Sequence, residues 1–288
     1  METAAPEHRL PNFLVIGAMK CGTQSMYRYL RQHPEVFMHP TRDLRFFTEE
    51  HNWNRGVDWY RSQFAGAGRA SVVGEAPNGY TRHPIYGGVP ERIHGLLPDV
   101  RMVYVIRSPL KRIESHYRHR IVTGFEWRGA EDAIREDPSY VAISRYGSQL
   151  EQYLRFFPLE QILILSLERL IAEPDAMLGR LCRFLGIAET PGIPYPRENI
   201  TRERSSAPLL LRRFSRFSSL RPHVQRASRR LHHTRFGGST AADEVPFDLG
   251  RDTRERLDDV FREDLALLSS IAGESFEDLD RELSARAA

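Results

Sequence analysis

The sequence predicts an α/β protein with an open parallel β-sheet flanked by helices, in a single domain that covers residues 1–288. Four apolar runs rich in β-branched residues are bounded by turn residues, which is typical of strands buried on both faces of a parallel sheet. Helical patterns lie between these runs, so strand and helix alternate. Ligands of such sheets bind beyond the carboxyl ends of the strands. The four predicted strands are 13–18, 71–75, 101–106 and 161–167.

Four helices are predicted between and after these strands. The first ends before Pro34, because proline cannot continue a helix. The second starts at Pro109, a residue favoured at the first helical position, and we expect Ser108 to be its N-cap. The predicted helices cover 23–33, 109–122, 143–156 and 175–187.

An arginine-rich segment, 199–240, interrupts this alternation. Between Arg202 and Arg235 it contains ten arginines and one acidic residue, Glu203. Such a stretch fits either a mobile, solvated lid or a nucleic-acid patch, and we favour the lid or mobile segment. Beyond it, an amphipathic pattern predicts a C-terminal helix at about 251–272.

Composition and charge exclude several classes of protein. The 41 basic and 38 acidic residues nearly balance, so we expect no nucleic-acid partner and only a local anion site. No apolar run approaches the ~20 residues of a membrane span, and the N-terminus lacks the apolar core of a signal peptide. Cys21 and Cys182 make neither a disulfide framework nor a metal cluster. We therefore expect a cytoplasmic protein without a transmembrane segment.

Lysine is rare in this chain. Of the 41 basic residues only two, Lys20 and Lys111, are lysines, and the rest are arginines. An ammonium group is a compact point charge, whereas a guanidinium is a planar fork suited to static bidentate contacts. Lys20 lies inside a glycine-bounded turn, so it is the first candidate for chemistry.

The turn after the first strand has the composition of a phosphate site. Gly17 and Gly22 allow backbone N–H groups to approach an anion, and the following helix directs its positive dipole end there. Thr23 and Ser25 can add hydroxyl donors. The spacing G-x-x-K-x-G-T is P-loop-like, but it does not match the NTPase pattern G-x-x-x-x-G-K-[ST]. A plain turn between strand and helix is the alternative.

A second candidate site follows the strand 101–106. Arg107 stands where this strand ends, Ser108 precedes the next helix, and Ser115 lies two turns into it. A guanidinium and a hydroxyl at a helix start suit a terminal phosphate, although an arginine at a strand end is often a surface ion-pair partner. Together the two sites indicate a ligand with phosphates at two ends.

These motifs resemble those of sulfotransferases that use 3′-phosphoadenosine 5′-phosphosulfate (PAPS). "GAMKCGTQS" resembles their 5′-phosphosulfate loop, and "VIRSPLKRIESHY" resembles their 3′-phosphate strand and helix. Similar segments cover roughly residues 11 to 190 in the same order. Bacterial sulfotransferase-domain proteins and heparan sulfate sulfotransferases have the most similar pattern.

The resemblance implies a set of PAPS-binding residues. Lys20 would contact the oxygen that bridges phosphate and sulfur, and Gly22 and Thr23 would cradle the 5′-phosphate. Arg107 and Ser115 would hold the 3′-phosphate. The complete predicted set is Lys20, Cys21, Gly22, Thr23, Gln24, Ser25, Arg107, Ser115, Tyr146 and Arg204. Tyr146 would line the nucleotide site, and Arg204, with Arg202 and Ser205, would complete the 3′-phosphate site.

For the base that deprotonates the acceptor, the same resemblance offers several candidates. Many relatives carry K-E-x-x-F-F, where the glutamate is the base, and here "RDLRFF" has Asp43 in its place. Asp43 is the first candidate, with an ion pair to Arg42 or Arg45 as the alternative. Glu75 is the reserve candidate, either as a base or as a residue that orients the acceptor or the loop. The minor candidates are His39 and His51.

The function implied is transfer of a sulfuryl group from PAPS, without a metal, to a hydroxyl of a glycan, lipid or natural product. The alternatives are a small-molecule phosphotransferase, which would need ATP and magnesium with Glu75 as the metal carboxylate, and a catalytically silent nucleotide-binding protein. Trp53, Trp59 and Tyr60 either pack together or form an aromatic wall for the acceptor.

Overall fold

A computed structural model of the chain describes residues 9–190, 192–196, 245–276 and 278–279. The arginine-rich segment 199–240, including Arg204 of the predicted PAPS site, lies outside the described residues.

Five strands form one parallel sheet, which confirms the predicted fold class. If the strands are numbered along the chain, they lie across the sheet in the order second, third, first, fourth, fifth. The second strand was not predicted, because three residues are too short to give a periodic pattern. The strands are β1 (Phe13–Gly17), β2 (Val36–Met38), β3 (Val72–Glu75), β4 (Arg101–Ile106) and β5 (Ile162–Ser166).

The sheet forms the core because its strands are apolar on both faces. Every residue of β1, β3 and β5 is buried, and in β4 only Arg101 is exposed. β1 pairs with β3 on one side and with β4 on the other. Glu75, at the end of β3, is the one charged residue among these buried positions.

The helices agree in part with the sequence prediction. The predicted helix 143–156 is wrong at its start, because Arg145 has non-helical backbone angles and the helix begins at Tyr146. Among the described residues, five helices were not predicted; each has at most eight residues. The helices are α1 (Thr23–Gln32), α2 (Gly56–Ser62), α3 (Val89–Leu96), α4 (Pro109–Val122), α5 (Ala130–Glu136), α6 (Ser139–Ala142), α7 (Tyr146–Leu154), α8 (Leu167–Ala172), α9 (Pro174–Leu185) and α10 (Arg251–Ala272).

The described residues divide into two compact units. The first contains the sheet, α1 to α3, α7 to α9 and α10 from Phe261 onward. The second contains α4 to α6 and α10 up to Val260. Within the second unit, Glu131 accepts a hydrogen bond from the Gly250 N–H at 2.9 Å. The single domain over residues 1–288 stays a prediction.

Candidate functional site

The sheet order determines where a ligand site is expected. β1 is central, and the chain continues to β2 and β3 on one side and to β4 and β5 on the other. The order therefore reverses at β1, and in open α/β sheets ligands bind at such a switch point, outside the carboxyl ends of the strands. The turn 18–22 leaves β1 at this point, with the ends of β3 and β4 beside it.

The backbone of this turn has a conformation that suits an anion. Lys20 has a positive φ of 71°, and Gly22, the N-cap of α1, has a φ of 87°. The cap has no side-chain hydrogen bond, and the first turn of α1 contains no acidic residue. A helix N-terminus of this kind offers backbone N–H donors and a positive dipole end to an anion.

Gly22 also lies close to a neighbouring side chain. A Cβ atom at this position would lie 2.7 Å from Cδ1 of Leu167, which is closer than carbon atoms approach each other. The left-handed backbone therefore favours glycine here, and a larger residue would also have to displace the end of the Leu167 side chain. The predicted donors that follow differ in exposure: Thr23 and Ser25 are buried, whereas Gln24 is half-buried.

Arg107 supports the turn from the neighbouring strand. Its Nη1 donates to the carbonyl oxygen of Lys20 at 3.2 Å. Its Nε is buried and has no hydrogen-bond partner among the residues that the structure describes. Two predicted residues, Lys20 and Arg107, are thus brought together at the carboxyl ends of β1 and β4.

The segment after Arg107 is held by a residue that the sequence pattern did not indicate. Glu168 Oε1 accepts a hydrogen bond from the Ser108 N–H at 3.1 Å. The Ser108 hydroxyl, in contrast, is buried and has no partner within the described ranges. Ser108 thus stands directly before α4, which begins at Pro109 as predicted, but its hydroxyl does not make the expected capping hydrogen bond. Ser115 lies on α4 and is half-buried.

Tyr146 lies against the turn from its inner side. Its hydroxyl is 3.6 Å from Sγ of Cys21, and its ring packs edge-on against Tyr104 with 6.1 Å between the centroids. Both Tyr146 and Cys21 are completely buried. Because both side chains are buried, Tyr146 and Cys21 would contribute to nucleotide binding by supporting the turn.

Asp264 of α10 fixes the start of α7. Its carboxylate accepts from the Gly147 N–H at 2.8 Å and from the Ser148 N–H at 3.0 Å. Because these N–H groups belong to the first turn of α7, Asp264 acts as the cap of the helix that begins with Tyr146. In the sequence, the only sign of this role is an acidic residue on the apolar face of α10.

Asp43 lies in the segment that follows β2. Its Oδ2 is 3.8 Å from Nε of Arg45, and its Oδ1 is buried without a hydrogen-bond partner among the described residues. Burial raises the pKa of Asp43 above the usual value, while the positive charges of Arg45 and Arg42 oppose this change. The ion pair considered from the sequence is therefore present, but it engages one oxygen.

Glu75 is close to this segment but completely buried. Its Oε2 accepts from the Leu44 N–H at 2.8 Å, and its Oε1 accepts from the hydroxyls of Tyr60 at 2.8 Å and Tyr80 at 3.2 Å. Burial raises the pKa of Glu75 to about 8, against the effect of the Leu44 hydrogen bond, and the charge of Asp43 adds to the increase.

The two histidines have structural contacts. His39 is buried, and its Nδ1 lies 2.8 Å from the carbonyl oxygen and 3.1 Å from the backbone nitrogen of Thr41, so it bonds the same loop in either tautomer. His51 Nε2 is 3.0 Å from Nη1 of Arg45. Both therefore support the segment around Asp43.

The aromatic residues near this segment form a cluster. Tyr60 stacks on Phe46 with 4.1 Å between ring centroids, and Trp53 and Trp59 lie against the same ring at 5.2 and 6.1 Å. Trp53 and Trp59 are half-buried. The packing expected from the sequence is present, and the two tryptophans retain an exposed surface.

Two further findings concern the described ranges as a whole. Within them, no three His, Cys, Asp or Glu side chains are grouped so that they could hold a metal ion. No helix there has both the length and the apolar character needed to span a lipid bilayer.

The sheet order and the turn at its switch point define a parallel α/β protein with a candidate anion-binding site. A family model described as the sulfotransferase domain matches residues 10–269. Because this match covers most of the chain, the protein belongs to the sulfotransferase family, which confirms the resemblance seen in the motifs.

Individual relatives agree with this assignment. The chain is 30% identical over 187 residues to heparan sulfate glucosamine 3-O-sulfotransferase 6 of Mus musculus, covering 62% of this chain and 53% of the relative. It is 28% identical over 192 residues to heparan sulfate glucosamine 3-O-sulfotransferase 5 of Homo sapiens, covering 62% and 54%. The matched region thus spans about half the length of these relatives.

A solved structure has the same fold. The crystal structure of a sulfotransferase from Alicyclobacillus acidocaldarius matches with a TM-score of 0.65 and 24% identity, covering 94% of this chain and 99% of that one.

Proposed function

We propose that the protein is a sulfotransferase that moves a sulfuryl group from PAPS to an acceptor hydroxyl. The observation that carries this proposal is the turn 18–22, in which Lys20 and the N-terminus of α1 meet at the switch point of the sheet. Membership of the sulfotransferase family supports it independently.

The donor side of the site would be formed by the turn and the strand beside it. Backbone N–H groups and hydroxyls from Lys20 to Ser25 would bind the 5′-phosphosulfate. Arg107 already contacts the turn with Nη1, and its buried Nε has no partner in the described part of the chain, so it has donor capacity for a phosphate. Ser115 and Arg204 are proposed for the 3′-phosphate from the motif resemblance.

The reaction would exchange one bond for another. The bond between sulfur and the bridging oxygen of PAPS breaks, a bond between sulfur and the acceptor oxygen forms, and the hydroxyl proton passes to a base. The leaving group is adenosine 3′,5′-bisphosphate (PAP). Lys20 would neutralise the negative charge that develops on the leaving phosphate. The proposal assigns this stabilisation to Lys20 and includes no metal.

We propose Asp43 as the base. The side chain is 13% exposed, which gives an acceptor hydroxyl limited access to the carboxylate, and the buried Oδ1 has no partner in the described ranges. Arg45 keeps the other oxygen engaged at 3.8 Å. A base must come within about 2.6–3.2 Å of the proton donor, so an acceptor would have to enter beside Arg42 and Arg45.

The acceptor class proposed first is a glycan hydroxyl, because the matched relatives are named heparan sulfate sulfotransferases. Lipid and natural-product hydroxyls are the alternatives. The expected cytoplasmic location stays a prediction.

Two measurements test this function. In the first, thermal stability is measured with PAP and with ATP–Mg²⁺; the proposal predicts a larger increase in Tm with PAP. Preferential stabilisation by ATP–Mg²⁺ would instead indicate a phosphotransferase.

The second measurement is transfer of labelled sulfur from PAPS to three probes: a heparan sulfate oligosaccharide, a 3-hydroxy fatty acid and p-nitrophenol. A cell extract, with mass spectrometry of the product, extends the set. Label in any product supports the proposal. Binding of PAP without transfer to any probe or extract component would indicate a silent nucleotide-binding protein.

A further inference from the structure

The segment that carries Asp43 is attached to β3 and its continuation on both sides of Asp43. Before it, the carbonyl oxygen of Arg42 accepts from the Ala76 N–H at 2.8 Å. After it, the Leu44 N–H donates to Oε2 of Glu75 at 2.8 Å. Asp43 thus lies between two hydrogen bonds to consecutive residues, and one of them is made by a side chain.

The carboxyl group of Glu75 is itself fixed by two tyrosines. The hydroxyls of Tyr60 and Tyr80 both donate to Oε1. The Tyr80 hydroxyl also accepts from the Phe47 N–H at 3.3 Å, which adds a further attachment of the same segment. Tyr60 is held by its stacking on Phe46, whose ring is inclined by 5° to it.

From this arrangement we propose that Glu75 is a positioning residue, which acts with Tyr60 and Tyr80 to hold the backbone of Asp43 so that its carboxylate faces the acceptor. This role rests on the proposed function. Glu75 is 0% exposed and its two oxygens receive three hydrogen bonds, so it cannot approach an acceptor without disrupting its own environment. Asp43, in contrast, has an oxygen without a partner among the described residues.

Substitutions at Glu75 separate a positioning residue from a base. Glu75→Gln keeps an oxygen that can accept from Leu44 and an amide that can bond the tyrosine hydroxyls, but it cannot take a proton. We expect its kcat to stay within about threefold of wild type. Glu75→Ala removes the attachment and should lower kcat about tenfold or more, with the KM for PAPS unchanged. The substrate is whichever probe accepts label from wild type.

A double-mutant cycle tests whether Glu75 acts through Asp43. If it does, Asp43→Asn combined with Glu75→Ala should be no slower than Asp43→Asn alone, within about threefold. Multiplication of the two losses would overturn the proposal, because it would indicate an independent role. A loss in Glu75→Gln as large as that in Asp43→Asn would also overturn it, because Glu75 would then be the base.

Two additional measurements keep the test decisive if Glu75→Ala folds poorly. Tyr80→Phe removes a hydroxyl that bonds both Glu75 and Phe47, so it should lower kcat. The matched control is Tyr29→Phe, because Tyr29 is also buried and its hydroxyl lies 3.9 Å from Cys182 Sγ. This control should keep the wild-type kcat. Hydrogen exchange of the Leu44 amide should be faster in Tyr80→Phe and unchanged in Glu75→Gln. Wild-type kcat and exchange in Tyr80→Phe would overturn the proposal.

These results distinguish the two proposals. Absence of sulfur transfer by the wild-type chain would overturn the proposed function, and the role of Glu75 with it. Transfer by wild type with multiplicative losses would overturn the role of Glu75 alone.

Discussion

The Lys20 turn and the Asp43 segment are built in different ways. The turn 18–22 is shaped by its own backbone angles, by the glycine at position 22 and by the adjacent strand β4. The Asp43 segment is attached through Leu44 to Glu75, 31 residues away, and through Phe47 to Tyr80, 33 residues away. Backbone conformation near Lys20, supported by β4 and Arg107, therefore shapes the proposed donor site, whereas the proposed acceptor site depends on side-chain contacts from Glu75 and Tyr80.

This difference predicts that a side chain on the donor side can be removed without loss of the site itself. Lys20→Ala should lower sulfur transfer by about 10³-fold or more, because the charge on the leaving phosphate is no longer neutralised. PAP binding, measured by calorimetry, should weaken only a few-fold, since the N–H groups of α1 remain. Lys111→Ala, at the only other lysine of the chain, is the control and should be near wild type in both. Unchanged turnover in Lys20→Ala would remove this residue from the mechanism.

On the acceptor side, the ionisation of Glu75 should make the stability of the folded protein depend on pH. The pKa of Glu75 is raised by burial from 4.5 to about 8, so the folded state binds this proton more tightly than the unfolded state. Below pH 4.5 both states are protonated; between 4.5 and 8 the unfolded state ionises first, and stability falls as pH rises. We expect the free energy of unfolding to fall by a few kcal/mol between pH 4.5 and pH 8.

Urea unfolding at several pH values checks this expectation. Glu75→Gln should remove this loss of stability, because glutamine does not ionise. Glu189→Gln is the matched control, since that side chain is 57% exposed and pairs with Arg183 at the surface, and its pH dependence should equal wild type. A Glu75→Gln variant with the wild-type pH dependence would show that another group is responsible.

Substitution of the proposed base, Asp43, should have the next largest effect on activity. Asp43→Asn should lower kcat about 10²-fold with little change in PAP binding, because the carboxylate no longer accepts the hydroxyl proton. Burial raises the pKa of Asp43, so wild-type activity should increase with pH through a value above that of an ordinary aspartate, and this acid limb should be absent in Asp43→Asn.

A surface aspartate provides the control for this variant. Asp58 has a 97% exposed side chain that pairs with Arg61 at 2.9 Å, so Asp58→Asn should keep the wild-type rate and pH profile. A near-normal rate in Asp43→Asn would exclude Asp43 as the base and leave the histidines and Glu75 as the candidates.

The same contrast explains which parts could be predicted from the sequence. Four strands and the Lys20 turn could be predicted, because burial on both faces and glycine spacing leave local patterns. Strand β2, with three residues, leaves none. Asp264 caps α7 across 117 residues, and Glu75 contacts Leu44 across 31, so neither role has a local signal. Lys20 and Arg107 were predicted as phosphate ligands, but their mutual contact required the pairing of β1 with β4.

The smallest effect tests whether the turn depends on its backbone. Gly22→Ala places a Cβ atom in a left-handed conformation and 2.7 Å from Leu167 Cδ1, so PAP affinity should fall about tenfold and stability by about 1–2 kcal/mol. Gly56 has a similar φ of 79° but nothing within 4 Å of its Cβ position. Gly56→Ala should therefore lose stability only through its unfavourable backbone conformation, and it should keep the wild-type PAP affinity. Equal PAP affinity in both variants would show that the shape of the Lys20 turn does not determine donor binding.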